Sequence, residues 1–242
     1  MIDAIYNKLI VSCQAREGEP LRDSLIMAKM AQAAVLGGAA AIRAAGSADI
    51  KAIKAVVTVP VIGLVKKKYP GSSVYITPTE QEIISLLASG CEIIALDATS
   101  RLRPHQTRLA DLLALIHHHR RLAMADISTF EEAKAAQDLG FDLVATTLAG
   151  YTDYSKQTTG PDLKLIKQAV RRLFVPVIAE GRIYDVAALK KVLKIGPHAV
   201  VIGTAITRPQ AITERFVKCF RPRKNYCDFR VIIANCRKRL YN

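Results

Sequence analysis

Short apolar runs rich in Val, Ile, Leu and Ala alternate along this chain with longer stretches whose apolar and charged residues recur at helical spacing. Eight runs have the length and β-branched content of buried strands: "KLIVSCQA", "AAAIRAA", "PVIGLVKK", "CEIIALDAT", "LAMADIS", "FDLVATTLAG", "PVIAEGRI" and "HAVVIGTAI". A ninth, "VYITP" (Val74–Pro78), is short and ends in proline, so it reads as a loop. Helical stretches separate the strands. "PLRDSLIMAKMAQAAVLGG" opens with Pro20 as a first-turn residue and stops at Gly-Gly, and "SADIKAIKAVV" opens with Ser47 as its cap. Thr79 with Glu82, and Thr129 with Glu132, have the spacing of capping boxes, the second helix ending at Gly140. "PDLKLIKQAVRR", "DVAALKKVLKIG" and "RPQAITERFVKCF" complete the series.

Strands that alternate with helices pair in parallel through right-handed crossovers. Eight such units in a chain of 242 residues predict a single α/β domain, a (β/α)8 TIM barrel, with a doubly wound open sheet as the alternative. The barrel is expected over residues 1–217. Residues 218–242, ending "RPRKNYCDFRVIIANCRKRLYN", lack a helical period and form an atypical basic tail.

Half of the residues are hydrophobic but Trp is absent, so the core is aliphatic, as parallel strands under helices require. No apolar run approaches the roughly 18–20 residues of a membrane span, and "MIDAIYNKLIVSCQARE" lacks the order of a secretory signal. The cysteines (Cys13, Cys91, Cys219, Cys227 and Cys236) show no CxxC spacing, so a reduced, cytoplasmic protein is expected. The net charge of +14 raises the question of nucleic acid, but residues 218–242 alone carry eight Lys/Arg against one Asp, half of that excess. The rest is spread over solvated helix faces such as "KQAVRR" and "LKKVLK". Tyr226, Phe229 and Tyr241 are too scattered to stack bases, so no nucleic-acid partner is expected. A basic protein also suits a small anionic substrate.

In a barrel of this kind the active site lies where strands end and βα loops begin. The polar residues there are Gln14, Arg43, Lys66, Asp97, Thr99, Asp126, Thr146, Thr147, Glu180, Arg182, Gly203 and Thr204. Gly181 follows strand 7, and Gly203 and Arg208 follow strand 8. Those loops commonly hold phosphate in this fold, glycine letting the backbone approach and arginine adding a bidentate contact. No P-loop or GxGxxG motif points to a nucleotide. Strands 3 and 7 are diametrically opposite in a ring of eight, so Lys66 and Glu180 face each other across the mouth if both point inward. Two proton-handling groups on opposite sides of one carbon are what inversion of a C–H centre needs. Lys67 and Lys68 read as solvated. His117, His118 and His119 stand at the far end of a helix in three directions and make a poor metal site; no metal is expected. Ser12 and Cys13 lack a histidine partner, and Cys13 reads as core.

Taken together, "VSCQAREGEPL", "AAIRAAG", "PVIGLVKK", "VYITPT", "ALDAT", "MADIST", "TTLAGYT", "PVIAEGRI" and "VVIGTAITRP" make the chain, from Leu9 to Phe216, resemble the bacterial N-acetylmannosamine-6-phosphate 2-epimerases of sialic acid catabolism. The resemblance implies a TIM barrel, no cofactor, a homodimer, and interconversion of N-acetylmannosamine 6-phosphate with N-acetylglucosamine 6-phosphate. It also implies Lys66 and Glu180 as the catalytic pair, Gln14, Arg43 and Asp126 as sugar contacts, and Gly181, Gly203 and Arg208 as the phosphate side. The tail beyond Phe216 departs from that family. Two alternatives stand beside this reading: a phosphosugar barrel in which Lys66 forms a Schiff base, and a basic nucleic-acid-binding protein.

Overall fold

The structure, a computed structural model, describes residues 1–220. Residues 221–242 of the basic tail, with Cys227 and Cys236, lie outside the described residues. Eight parallel strands close into a barrel in chain order: β1 Lys8–Cys13, β2 Ala41–Ala45, β3 Val61–Leu64, β4 Ile93–Asp97, β5 Leu122–Asp126, β6 Leu143–Ala145, β7 Val177–Glu180 and β8 Ala199–Ile202. β8 closes on β1, Val201 opposite Ile10. Each of the first seven strands leads into a helix: α1 Ser24–Leu36, α2 Ser47–Lys54, α3 Glu80–Leu87, α4 Leu109–His118, α5 Phe130–Leu139, α6 Leu163–Arg172 and α7 Val186–Leu193. A single turn, α8 (Thr204–Thr207), follows β8. It ends the compact unit Met1–Arg208; a second unit begins at Pro209 and includes α9, Pro209–Val217.

The two-residue period of the strands sorts their side chains between two cores. Ile10, Ile62, Ile93, Met124, Leu143, Ile178 and Val201 point inward and fill the barrel, and Ile5 joins them from a 3₁₀ turn at Asp3–Ile5. Val11, Ile42, Ile94 and Leu96 point outward and pack on Met27, Ile50, Leu86 and Ile116 of the helices. One period further along, the inward positions turn polar: Ser12 lies opposite Arg43, and Asp97 opposite Asp126. The barrel interior is therefore aliphatic below and charged at the carboxyl ends of its strands, and that gradient positions the site.

Capping follows the sequence in part. Both predicted capping boxes form, Thr79 with Glu82 and Thr129 with Glu132, and α5 stops at Gly140 in a left-handed conformation (φ 104°). Pro20 does not begin α1. Asp23 does, its carboxylate accepting the N–H groups of Leu25 at 2.8 Å and Ile26 at 3.0 Å. Ser47 is the first residue inside α2 and the cap position belongs to Gly46, whose φ of 91° disfavours a residue with a side chain. "VYITP" is a loop as expected, with one antiparallel bridge from Ile76 back to Lys66.

Candidate active site

After β3 the chain doubles back on itself. Thr77 donates its N–H to Val65 O at 2.7 Å, Val65 donates its own to Thr77 Oγ1 at 3.2 Å, and Lys67 N–H reaches Tyr75 O at 2.9 Å. Thr77 is fully buried and its hydroxyl donates to Ala95 O of β4 at 2.6 Å. Lys66 thus leaves the barrel from a backbone clasp anchored on the next strand. Its amine makes no hydrogen bond or ion pair among the described residues. Lys67 is not merely solvated: it pairs with Glu82 at 3.3 Å and lies over the Tyr69 ring at 4.8 Å.

Across the mouth, four side chains form one buried network. Arg43, 1% exposed, donates from Nη2 to Asp126 Oδ2 at 2.5 Å and from Nη1 to Asp126 Oδ1 at 3.1 Å. The same Nη1 pairs with Glu180 Oε2 and reaches Thr147 Oγ1 at 3.0 Å. Thr147 Oγ1 in turn lies 2.7 Å from Asp126 Oδ1 and 3.0 Å from Glu180 Oε2. Arg43 Nε is buried without a partner. Asp126 has no exposed surface and stands behind Arg43, whereas Glu180 keeps 14% of its side chain open. Thr146 holds the end of β7 by accepting Glu180 N–H at 3.0 Å and donating to Glu180 O at 2.9 Å.

Other rim residues serve the loops. Asp97 accepts from Thr99 N–H at 2.9 Å and from Arg101 Nη2 at 2.6 Å, so it organises the β4–α4 turn. Arg182 donates to Ala149 O at 2.6 Å and Gly150 O at 2.8 Å while its guanidinium lies 4.2 Å over the Tyr151 ring, fastening the β6–α6 loop. Gly203 lies against β1, where a Cβ would come 3.2 Å from Ser12 Cβ, and Gly181 has φ 110°. Arg208 is ion-paired with Glu19 of the β1–α1 loop. Gln14 donates from Nε2 to Ser12 Oγ at 2.9 Å, leaving its buried Oε1 without a partner. Cys13 is core, its thiol pushed up to about 12 by burial. His117 pairs with Asp142 at 2.8 Å. No cluster of His, Cys, Asp and Glu suited to a metal exists among the described residues.

One cavity of about 1460 Å³ gathers Gln14, Arg43, Lys66, Thr147, Glu180, Gly181, Arg182, Gly203, Thr204 and Arg208. Eight basic residues line it (Arg16, Arg22, Arg43, Lys66, Lys67, Lys68, Arg182 and Arg208) against three acidic ones (Glu17, Asp23 and Glu180), so it favours an anion. A second hollow of about 650 Å³, lined from Tyr69, α3 and α4, contains none of these rim residues.

Over residues 27–221 the chain matches the family model described as "Putative N-acetylmannosamine-6-phosphate epimerase". The chain belongs to this epimerase family. A relative from Clostridioides difficile (strain 630), named "Putative N-acetylmannosamine-6-phosphate 2-epimerase", is 52% identical over 218 residues, 90% of this chain and 98% of its own. Another so named, from Clostridium perfringens (strain SM101 / Type A), is 54% identical over 216 residues, 89% of this chain and 98% of its own. The solved structure of the N-acetylmannosamine-6-phosphate 2-epimerase from Clostridium perfringens superposes with a TM-score of 0.90 at 52% identity, covering 91% of this chain and 96% of that one.

The cavity perturbs Lys66 and Glu180 in opposite senses. Desolvation, reinforced by the positive charge of Arg43, pulls the Lys66 amine down to about 8, with Glu180 and Asp126 acting the other way. Lys66 is itself exposed to the cavity, so water there screens part of this shift. Burial pushes the Glu180 carboxyl up; Arg43 opposes that shift, Asp126 adds to it, and Thr147 opposes it. A lysine made easier to deprotonate and a carboxyl made easier to protonate are suited to base and acid at neutral pH. From sequence, Thr147 reads as a polar strand-end residue that could as well hydrogen-bond loop backbone as serve the site. A threonine at a strand end is commonplace, and only closure of the barrel brings β2, β5 and β7 onto its hydroxyl.

Proposed function

We propose that this chain interconverts N-acetylmannosamine 6-phosphate and N-acetylglucosamine 6-phosphate without a cofactor, by removing a proton from C2 and returning one to the opposite face. The observation that carries this reading is the basic cavity into which Lys66 and Glu180 open from the ends of β3 and β7, opposite strands of the closed ring. The sugar opens to its aldehyde, which makes the C2 proton acidic. With an amine pKa of about 8, about a tenth of Lys66 is neutral at pH 7 and able to take that proton. The C–H electron pair moves into an enediolate, and the ammonium formed on Lys66 stands beside the new negative charge. Glu180 delivers its proton to C2 from the other face, and the two groups exchange roles in the reverse direction. Opening the ring needs proton transfer as well, which either group can serve.

Gly181, Gly203 and Arg208 hold the phosphate in this reading, Arg208 exchanging Glu19 for it. Gln14 Oε1, buried and unpartnered, accepts the acetamido N–H. Arg43 and Asp126 complete the sugar side, Asp126 acting through Arg43. The substrate class also suits a cytoplasmic protein, and the resemblance a homodimer, which sedimentation of the full chain tests. Lys66→Ala is expected to lose at least about a hundredfold in turnover of N-acetylmannosamine 6-phosphate while still binding it. Borohydride reduction in the presence of substrate should leave Lys66 unlabelled; covalent labelling there would replace this reading with Schiff-base chemistry.

A further inference from the structure

Thr147 touches each of the three charged members of the buried network, and its hydroxyl has a single hydrogen to give. Three polar atoms lie within its reach: Arg43 Nη1 at 3.0 Å, Asp126 Oδ1 at 2.7 Å and Glu180 Oε2 at 3.0 Å. Arg43 can only donate, so it fills one acceptor site of Thr147 Oγ1. The hydroxyl hydrogen must then choose between two carboxyl groups. Both oxygens are already within hydrogen-bonding distance, so the choice needs only a turn about the Cβ–Oγ bond and no movement of heavy atoms.

Resting on the epimerase reading, in which Glu180 is the acid, we propose that Thr147 is a positioning residue whose hydroxyl turns from Asp126 to Glu180 as Glu180 gives up its proton. While Glu180 is protonated the hydroxyl serves Asp126, the nearer oxygen. When the proton leaves for C2, Glu180 becomes a carboxylate in a buried place, and the Thr147 O–H supplies it with a second donor beside Arg43. Asp126 keeps both guanidinium nitrogens meanwhile. Thr147 is held for this by its own loop: Arg182 grips the carbonyls of Ala149 and Gly150 just beyond it. A Cβ on Gly150 would fall 2.1 Å from Arg182 Nη1, so that grip depends on the glycine.

The test is to follow the Glu180 carboxyl by ¹³C NMR as a function of pH, without substrate, in wild type, Thr147→Ser, Thr147→Val and Thr147→Ala. Loss of a donor to the carboxylate should raise the Glu180 midpoint by about half a unit or more in Val and Ala, and Ser, which keeps the hydroxyl, should leave it in place. In heavy water with N-acetylmannosamine 6-phosphate, Val and Ala should form product more slowly relative to deuterium exchange at C2 than wild type does, and Ser should restore the ratio. Either apolar variant suffices if the other fails to fold. An unchanged midpoint in a folded apolar variant, or a Ser midpoint that moves with Val, overturns the proposal. Absence of exchange in wild type would instead overturn the epimerase reading, while the substrate-free titration still reports on the hydroxyl.

Discussion

Arg43 carries a charge into the barrel with 1% of its side chain exposed, and its stability there depends on the two acidic side chains around it, Asp126 and Glu180. Removing one partner of a buried ion pair leaves the other uncompensated, at a cost of about 3–5 kcal/mol. Asp126→Asn should therefore lower unfolding stability in urea by about 3 kcal/mol, because Asp126 meets both terminal nitrogens of a guanidinium that is 1% exposed; a loss below about 1 kcal/mol would show that the network is not carried by this pair. The same residues set the pH profile. Below the Glu180 pKa both groups are protonated, and turnover rises with pH as Lys66 is freed. Between the two pKa values, loss of the Glu180 proton cancels that gain. Above about 8 Lys66 is already neutral and only the acid is being lost, so turnover falls. An alkaline limb near 8 in kcat/KM is the expected result, and continued rise to pH 10 would exclude Glu180 as the acid. At this scale the sequence displays residue types and strand ends but not partners. Arg43, Asp126, Thr147 and Glu180 are separated by up to 137 positions and meet only through closure.

Elements were more legible than their boundaries. All eight strands fall inside the runs read from β-branched content, and both capping boxes form where Thr and Glu stand three apart. The starts of α1 and α2 were misjudged because Pro20 and Asp23, or Gly46 and Ser47, compete within a few residues, and the backbone geometry that decides between them is not written in residue type. The turn α8 escaped notice because four residues carry no helical period. Gly63 shows how an element's packing constrains one position in it. A Cβ there would come 2.7 Å from Cys91 Sγ and 2.9 Å from Ile50 Cδ1, so β3 and α2 approach as closely as they do because the strand carries glycine. Gly63→Ala should cost about 1–3 kcal/mol in urea unfolding, and Cys91→Ala in the same chain should recover part of it. Strict additivity of the two changes would place the strain elsewhere.

For the molecule as a whole, the alternation of strand and helix was enough to predict the barrel, since eight parallel strands in a chain of this length have few ways to bury both faces. Its charge was less informative from sequence. Half of the excess lies near the end of the chain, whereas the eight basic residues around the cavity come from five separate loops and strands and only the fold assembles them. That assembly is what turns a basic composition into a cavity suited to an anion. The most direct test of the account is to incubate the full chain with N-acetylmannosamine 6-phosphate in heavy water and follow C2 by NMR. The account predicts N-acetylglucosamine 6-phosphate carrying deuterium at C2, with Lys66→Ala forming none. Product that retains its original C2 hydrogen, or neither product nor exchange, would contradict removal of the C2 proton by Lys66 and its replacement from Glu180.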